Sequence, residues 1–257
     1  MTHPVIRIRD GQFGYRNQVA VRAALEIEST EIVALLGPNG SGKTTLLKGM
    51  LGLVDRIGGS VELFGQPMRE FKDRSLIGYV PQRQSAAGSI PVTVRELVRS
   101  GRTGRNWSGS SRAAGRQAVA DAIAAVGLAD KATDPVSTLS GGQQRRAMMA
   151  RALAGGANVL LLDEPFAGVD QANQHAIADA LAALVPGGAT IVVVLHELGP
   201  IEPMVTRTIC LDGGSVLYDG PLADAPPRLL HLGHDHDPHG GEPDGAGGAD
   251  EMGLFRR

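Results

Sequence analysis

The chain is predicted to fold as an α/β protein built on a mainly parallel sheet. Three observations carry this: short strand-like runs that are apolar throughout, helix-forming stretches between them, and a glycine-rich turn joining one such run to a helix. Strands are expected at 5–9, 31–36, 60–64, 76–80, 158–162, 190–195, 207–211 and 215–218. The second leads through the glycines into a helix over 43–51. After the fourth the texture turns to Ala- and Arg-rich helical sequence, read as a subdomain inserted over about 84–157. Within it, residues 111–126 place apolar side chains at helical spacing and Gly127 supplies a stop. A helix over 171–184 is closed by Pro186 and Gly187. From 226 onward Pro, Gly, Asp and His dominate, and such a segment has too little apolar surface to form a core. The expected organisation is a domain over 1–225 and a flexible tail over 226–257.

At 257 residues, one core with an embedded subdomain is favoured over two independent domains. The composition, 42% hydrophobic with 35 glycines and 4% aromatics, suits an α/β protein rich in turns. A formal net charge of -2 gives no reason to expect nucleic acid as the main partner. The single Cys210 cannot close an intramolecular disulfide, and its apolar neighbours Ile209 and Leu211 make it a small buried hydrophobe, in keeping with a reducing cytosol. No apolar stretch approaches the ~20 residues that span a bilayer, and residues 1–10 lack the apolar core of a signal peptide. A membrane role would therefore run through partners.

The segment Gly37-Pro38-Asn39-Gly40-Ser41-Gly42-Lys43-Thr44, followed by Thr45, fits the phosphate-binding pattern GxxxxGK[ST] and sits between an apolar strand and a helix, as that pattern requires. Glycines let backbone N–H groups curl around phosphate oxygens, and the helix N-terminus adds positive potential. Lys43 is expected to reach the β and γ phosphates and Thr44 to offer its hydroxyl to Mg²⁺. A second element, Leu160-Leu161-Leu162-Asp163-Glu164, is an apolar strand ending in adjacent acids, which buried strands rarely do without a cation nearby. Alone the pair reads equally as solvated acids. Beside a phosphate loop, Asp163 is expected to hold Mg²⁺ and Glu164 to polarise an attacking water.

A third element, Leu139-Ser140-Gly141-Gly142-Gln143-Gln144-Arg145-Arg146, resembles the signature motif of the ABC ATPase family. Physically it is again a helix N-terminus, with Ser140, Gly141, Gly142 and Gln143 offering donors to a phosphate; the serine is equally a good N-cap. The resemblance covers about residues 5–222 and implies an ABC ATPase fold, a P-loop NTPase with a mainly parallel core sheet, an antiparallel β subdomain and an inserted helical subdomain. It also implies ATP and Mg²⁺ as cofactors, ATP hydrolysis coupled to transmembrane transport, and a homodimer in which each signature contacts nucleotide bound by the other copy. Three more positions match in order: Tyr15 as the aromatic on adenine, Gln82 as the glutamine near Mg²⁺ or the lytic water, and His196 as the switch histidine. Singly each has a plainer reading, as a core-edge tyrosine, a surface glutamine and a satisfied histidine. Asp170, in Gly168-Val169-Asp170, matches the dimer-contacting loop. Arg145 departs from the family, where many relatives carry a third glutamine, and is expected to alter surface charge more than chemistry.

Three local stretches, Ile77-Gly78-Tyr79-Val80-Pro81-Gln82, Ile90-Pro91-Val92-Thr93-Val94-Arg95-Glu96-Leu97-Val98 and Val194-Leu195-His196-Glu197-Leu198-Gly199, look like the branch serving zinc and manganese importers. That implies integral-membrane permease subunits, an extracytoplasmic solute-binding protein, and a location on the cytoplasmic face of the membrane. The tail carries His231, His234, His236 and His239 beside Asp235 and Asp237, a donor set suited to a borderline divalent ion and equally to plain solvation. Arg99, Arg102, Arg105, Arg112 and Arg116, with Trp107 among them, read as a solvated loop rather than a nucleic-acid patch, since glycine and serine break the run. The alternatives are an ABC ATPase for another cargo, or a non-transport one acting on nucleic acid or in cofactor assembly. The second would be supported by tandem cassettes or a long coiled-coil insertion, and the sequence has neither.

Overall fold

The computed structural model describes residues 4–82, 92–102 and 111–230. The four tail histidines, Ile90, Pro91, Arg105 and Trp107 lie outside the described residues. The strands are β1 (Ile6–Tyr15), β2 (Gln18–Ile27), β3 (Ile32–Leu36), β4 (Asp55–Leu63), β5 (Gln66–Pro67), β6 (Ile77–Val80), β7 (Val159–Asp163), β8 (Thr190–Val194), β9 (Arg207–Asp212) and β10 (Ser215–Gly220). They form one sheet in the order β5-β4-β1-β2-β10-β9-β3-β8-β7-β6. The helices are α1 (Lys43–Leu51), α2 (Val94–Ser100), α3 (Ser111–Ala125), α4 (Gly141–Ala154), α5 (Gln171–Ala182) and the short α6 (Pro227–Leu230).

One half of the sheet is parallel: β3 pairs with β8 and β9, β7 with β8, and β6 with β7. Its central strands IVALL, VLLLD and TIVVV are buried at every position, because both faces are covered. The two-residue period sorts their side chains. Val33, Leu35, Val192 and Val194 join a core with Leu46, Leu47 and Met50 of α1, while Ala34, Leu36, Ile191 and Val193 face Ala147, Met149, Ile177 and Leu181 of α4 and α5.

The other half is antiparallel, with β1 against β2 and β4, and β4 against β5. Here the strands differ from those expected. Strand β1 runs to Tyr15, well past residue 9, because a register shift between Ile8 and Gly11, with Asp10 at φ 48°, breaks the alternation on which the sequence reading relied. Strand β2 was not anticipated, although its burial alternates regularly; it buries one face only and lacks the continuous apolar run of the parallel strands. Arg16 and Asn17, at φ 49° and 64°, turn β1 into β2 through the two-residue loop that suits twisted hairpins and leave Tyr15 at its end.

Helix α2 begins with a capping box: the Thr93 hydroxyl accepts from the Glu96 amide and the Glu96 carboxylate accepts from the Thr93 amide. It packs with α3 and α4 through Val94, Val98, Val119, Ile123 and Met149. Parallel pairing places Val80, Leu162 and Val193 in one row. The residues after β3, β6, β7 and β8 therefore emerge together at one sheet edge, where open α/β folds place their ligands.

Candidate functional site

That edge gathers the phosphate-loop residues with Gln82, Asp163, Glu164 and His196. The loop leaves β3 through Gly37 at φ 148°, where a Cβ atom would stand 2.1 Å from the Leu211 carbonyl oxygen. Gly42 at φ 99° caps α1 without any side-chain hydrogen bond, so the first amides of the helix keep their donors for another acceptor. Lys43 is buried, and its ammonium donates to the Gly37 oxygen over 2.6 Å and to the Pro38 oxygen over 2.8 Å. Burial lowers its pKa, while the charges of Glu164 and Asp163 oppose that. Ser41 contributes a buried hydroxyl oxygen with no partner. Uncapped amides, an ammonium and an orphaned hydroxyl form a donor set that fits the phosphates of a nucleotide.

Asp163, 2% exposed, ends β7. Its Oδ1 accepts from the Thr44 hydroxyl over 2.8 Å and its Oδ2 from the Tyr79 hydroxyl over 3.4 Å. Burial is the main cause raising the Asp163 pKa; the Thr44 hydrogen bond opposes it and the adjacent Glu164 charge adds to it. Burial and the Asp163 charge together push the Tyr79 hydroxyl pKa upward, so Tyr79 remains a donor. The paired oxygens of Thr44 and Asp163 are hard donors that suit Mg²⁺, which binds few protein ligands and retains waters and phosphates. Among the described residues, no three His, Cys, Asp or Glu side chains gather as a metal-ligand cluster, as a softer ion would need.

Glu164 follows at φ 48°, a left-handed conformation that non-glycine residues seldom adopt, with its amide bonded to the Val194 oxygen over 3.1 Å. Its carboxylate lies between two partners. Gln82 Nε2 donates to one oxygen, and His196 Nε2 stands 3.1 Å from the other. The imidazole thus stands within ion-pair reach of the carboxylate. Gln82 is exposed, and it and His196 both approach the Glu164 carboxylate.

The remaining expected residues lie around this cluster. Tyr15 is 50% exposed and close enough to Tyr79 to affect its ionisation. Pro38, Asn39, Gly40 and Thr45 occupy the loop and the first turn of α1. Ser140 and Gln143 form a capping box on α4: the Ser140 oxygen accepts from the Gln143 amide, and the Ser140 amide donates to the Gln143 side chain. Gly141 is open to solvent, whereas Gly142 is buried against Asn173 of α5. Asp170 caps α5, accepting from the Asn173 amide and side chain, which lowers its pKa.

Two residues went unassigned or misjudged in the sequence. Tyr79 carries the second hydrogen bond to Asp163, a role no motif marked. Arg145 is not a surface charge. It is half-buried, donates from Nη2 to the Ala167 oxygen over 2.6 Å, and lies within electrostatic reach of Glu164. Its helical position turns it toward the loop after Glu164, so the substitution alters an internal contact.

The family model described as ABC transporter matches residues 21–167, which include the phosphate loop, the signature and both acids. The chain belongs to the ABC transporter family. This ABC transporter chain is the ATP-binding subunit, an ATPase. It is 40% identical over 190 residues to the manganese transport system ATP-binding protein MntB of Bacillus subtilis, covering 73% of this chain and 75% of that one. The zinc transport system ATP-binding protein TroB of Treponema pallidum is 36% identical, covering 86% and 82%. The phosphonates import ATP-binding protein PhnC 1 of Pseudomonas aeruginosa is 39% identical, covering 80% and 79%. Among solved structures, the dimeric post-hydrolysis ATP-binding cassette MJ0796 bound to ADP and Pi matches with TM-score 0.70 at 27% identity, covering 84% and 98%. No helix among the described residues is long and apolar enough to cross a membrane.

Proposed function

We propose that two copies of this ABC transporter subunit close around two ATP molecules on the cytoplasmic face of a membrane and energise a divalent-metal importer. The observation that carries this reading is the meeting of the Thr44–Asp163 pair with the Gln82–Glu164–His196 trio beside the Lys43 ammonium. Lys43, Ser41 and the amides of the loop and first helical turn hold the phosphates, while Tyr15 stacks on adenine from its hairpin end. Thr44, Asp163 and Gln82 would hold Mg²⁺, which neutralises phosphate charge when bound. Glu164 accepts a proton from the attacking water, with Gln82 and His196 fixing its carboxylate. His196 also contacts the γ-phosphate. The exposed signature, Ser140 to Gln143, reaches nucleotide bound by the second copy, and Asp170 lies at the contact between copies.

The cargo reading rests on the three local stretches that look like zinc and manganese systems and on the names of two relatives. Permease subunits and an extracytoplasmic binding protein complete the system. A groove of about 760 Å³ between α2 and α3, walled by Val119, Ala120 and Ile123 and rimmed by Arg95 and Arg116, suits a permease segment with acidic side chains. An oxyanion cargo is the second reading, favoured by the phosphonate-import relative. Reconstitution with the permease and binding protein in proteoliposomes separates them. Stimulation of ATP hydrolysis by Mn²⁺ or Zn²⁺ is expected; stimulation by a phosphonate with no metal response would establish the second reading instead.

A further inference from the structure

We propose that Arg145 is a positioning residue that ties the signature helix to the loop bearing Glu164, so that contact with the partner's nucleotide is felt at the chain's own hydrolytic site. It occupies the second turn of α4, whose N-terminus carries Ser140 to Gln143. Its guanidinium donates to the Ala167 carbonyl in the segment between Glu164 and the α5 cap Asp170. The far side of that segment is held separately, Gln174 Nε2 donating to the Val169 oxygen over 3.0 Å and the Asp170 carboxylate accepting from the Asn173 amide of its own helix. Between Glu164 and those anchors, Arg145 is the described side chain from another element that grips the backbone. The packing of Gly142 on Asn173 brings the two helix starts together, so a shift of α4 is transmitted to the loop.

The guanidinium is suited to this in a way that glutamine is not. It is half-buried and cannot lose its proton, although burial lowers its pKa, so its charge-assisted bond to Ala167 persists across the working pH range. Its charge also attracts Glu164 at longer range. A glutamine at 145 offers only neutral amide donors and no charge. When the signature end of α4 engages phosphate on the second copy, Arg145 draws Ala167 with it and sets where Glu164 begins its turn out of β7.

The inference rests on Glu164 as the hydrolytic base and on two shared sites. Steady-state ATP hydrolysis by the full chain in its permease complex, against ATP concentration, is measured for Arg145→Gln, Arg145→Ala and Arg145→Lys, with ATP binding titrated in parallel. Loss of the charged bond should lower kcat about tenfold in the Gln and Ala variants and bring the Hill coefficient toward unity, with ATP affinity unchanged. Arg145→Lys should recover much of both. Unchanged kcat and Hill coefficient would overturn the proposal. So would a kcat loss with full cooperativity, or a loss of ATP affinity in step with kcat, either of which marks a merely structural residue. Glu164→Gln measured alongside keeps the two claims apart: normal hydrolysis there removes the base assignment itself, whatever the Arg145 variants do.

Discussion

Thr44 donates its hydroxyl hydrogen to Asp163 Oδ1 over 2.8 Å, joining the first turn of α1 to the end of β7 across 119 positions of chain. The bond draws together the two motifs that the sequence keeps apart, and it offsets part of the penalty of burying Asp163. Asp163 is a buried carboxylate whose pKa is raised mainly by that burial.

A raised folded-state pKa means that the unfolded chain gives up this proton first. Stability linked to Asp163 is complete below its ordinary pKa of 3.8 and is lost as pH climbs through the higher folded-state value. Asp163→Asn removes that penalty, keeps Oδ1 for Thr44 and turns its NH2 toward the Tyr79 hydroxyl, which then accepts instead of donating. Without nucleotide, the variant should melt above the wild type at pH 7, by about 2–4 °C for each kcal/mol relieved, with the gap closing near pH 3.5. Hydrolysis should fall sharply. Thermal unfolding across pH checks it, and a lower melting point for the variant at pH 7 would refute the burial argument.

Glu164 invites a paired test because its backbone is left-handed. Glu164→Ala and Glu164→Gly both remove the carboxylate, but only glycine relieves the conformation, so the Gly variant should be the more stable by about 1 kcal/mol. Chemical denaturation of the two measures it. Both should lose hydrolysis, by about 10²- to 10⁴-fold if Glu164 is the base.

The parallel half of the fold was legible because strands buried on both faces, such as IVALL and TIVVV, advertise themselves as unbroken apolar runs. The phosphate loop and the Asp163-Glu164 pair were legible because their chemistry needs consecutive residues. The antiparallel half was expected from the family resemblance, but its strands were read only in part. Strand β2 alternates on one face only, and the bulge at Asp10 interrupts β1 just where its reading ended. Tyr79 and Arg145 were missed for a different reason. Each acts through one long-range hydrogen bond, to Asp163 and to Ala167, and sequence spacing carries no sign of such a contact. Gln82 and His196 were identified by order alone; that they share Glu164 is a property of adjacent parallel strands.

Lys43 bonds two carbonyls of its own loop, so its removal acts on the loop as well as on the ligand. Lys43→Ala should weaken ATP binding by about 10- to 100-fold, the loss expected for a hydrogen bond to a charged group. Equilibrium titration with a fluorescent ATP analogue reads this directly. Wild-type affinity in the variant would show that the phosphates lie elsewhere.

Gly141 and Gly142 are neighbours in the signature with opposite surroundings, and their alanine variants should fail in opposite ways. A Cβ on Gly142 would stand 2.7 Å from Asn173 Cβ, too close for any rotamer to relieve, so α4 and α5 must move apart. Gly142→Ala should destabilise the isolated chain by about 1–3 kcal/mol and lower its melting temperature. A Cβ on Gly141 meets nothing within 4 Å, and alanine favours the helix, so Gly141→Ala should melt no lower than wild type and bind ATP normally. If Gly141 approaches nucleotide on the second copy, the added methyl obstructs that contact alone, and hydrolysis falls while the isolated subunit is unaffected. Melting curves, ATP titrations and hydrolysis rates on the two variants distinguish these effects, and normal hydrolysis by Gly141→Ala would show that this face of the signature does not meet phosphate.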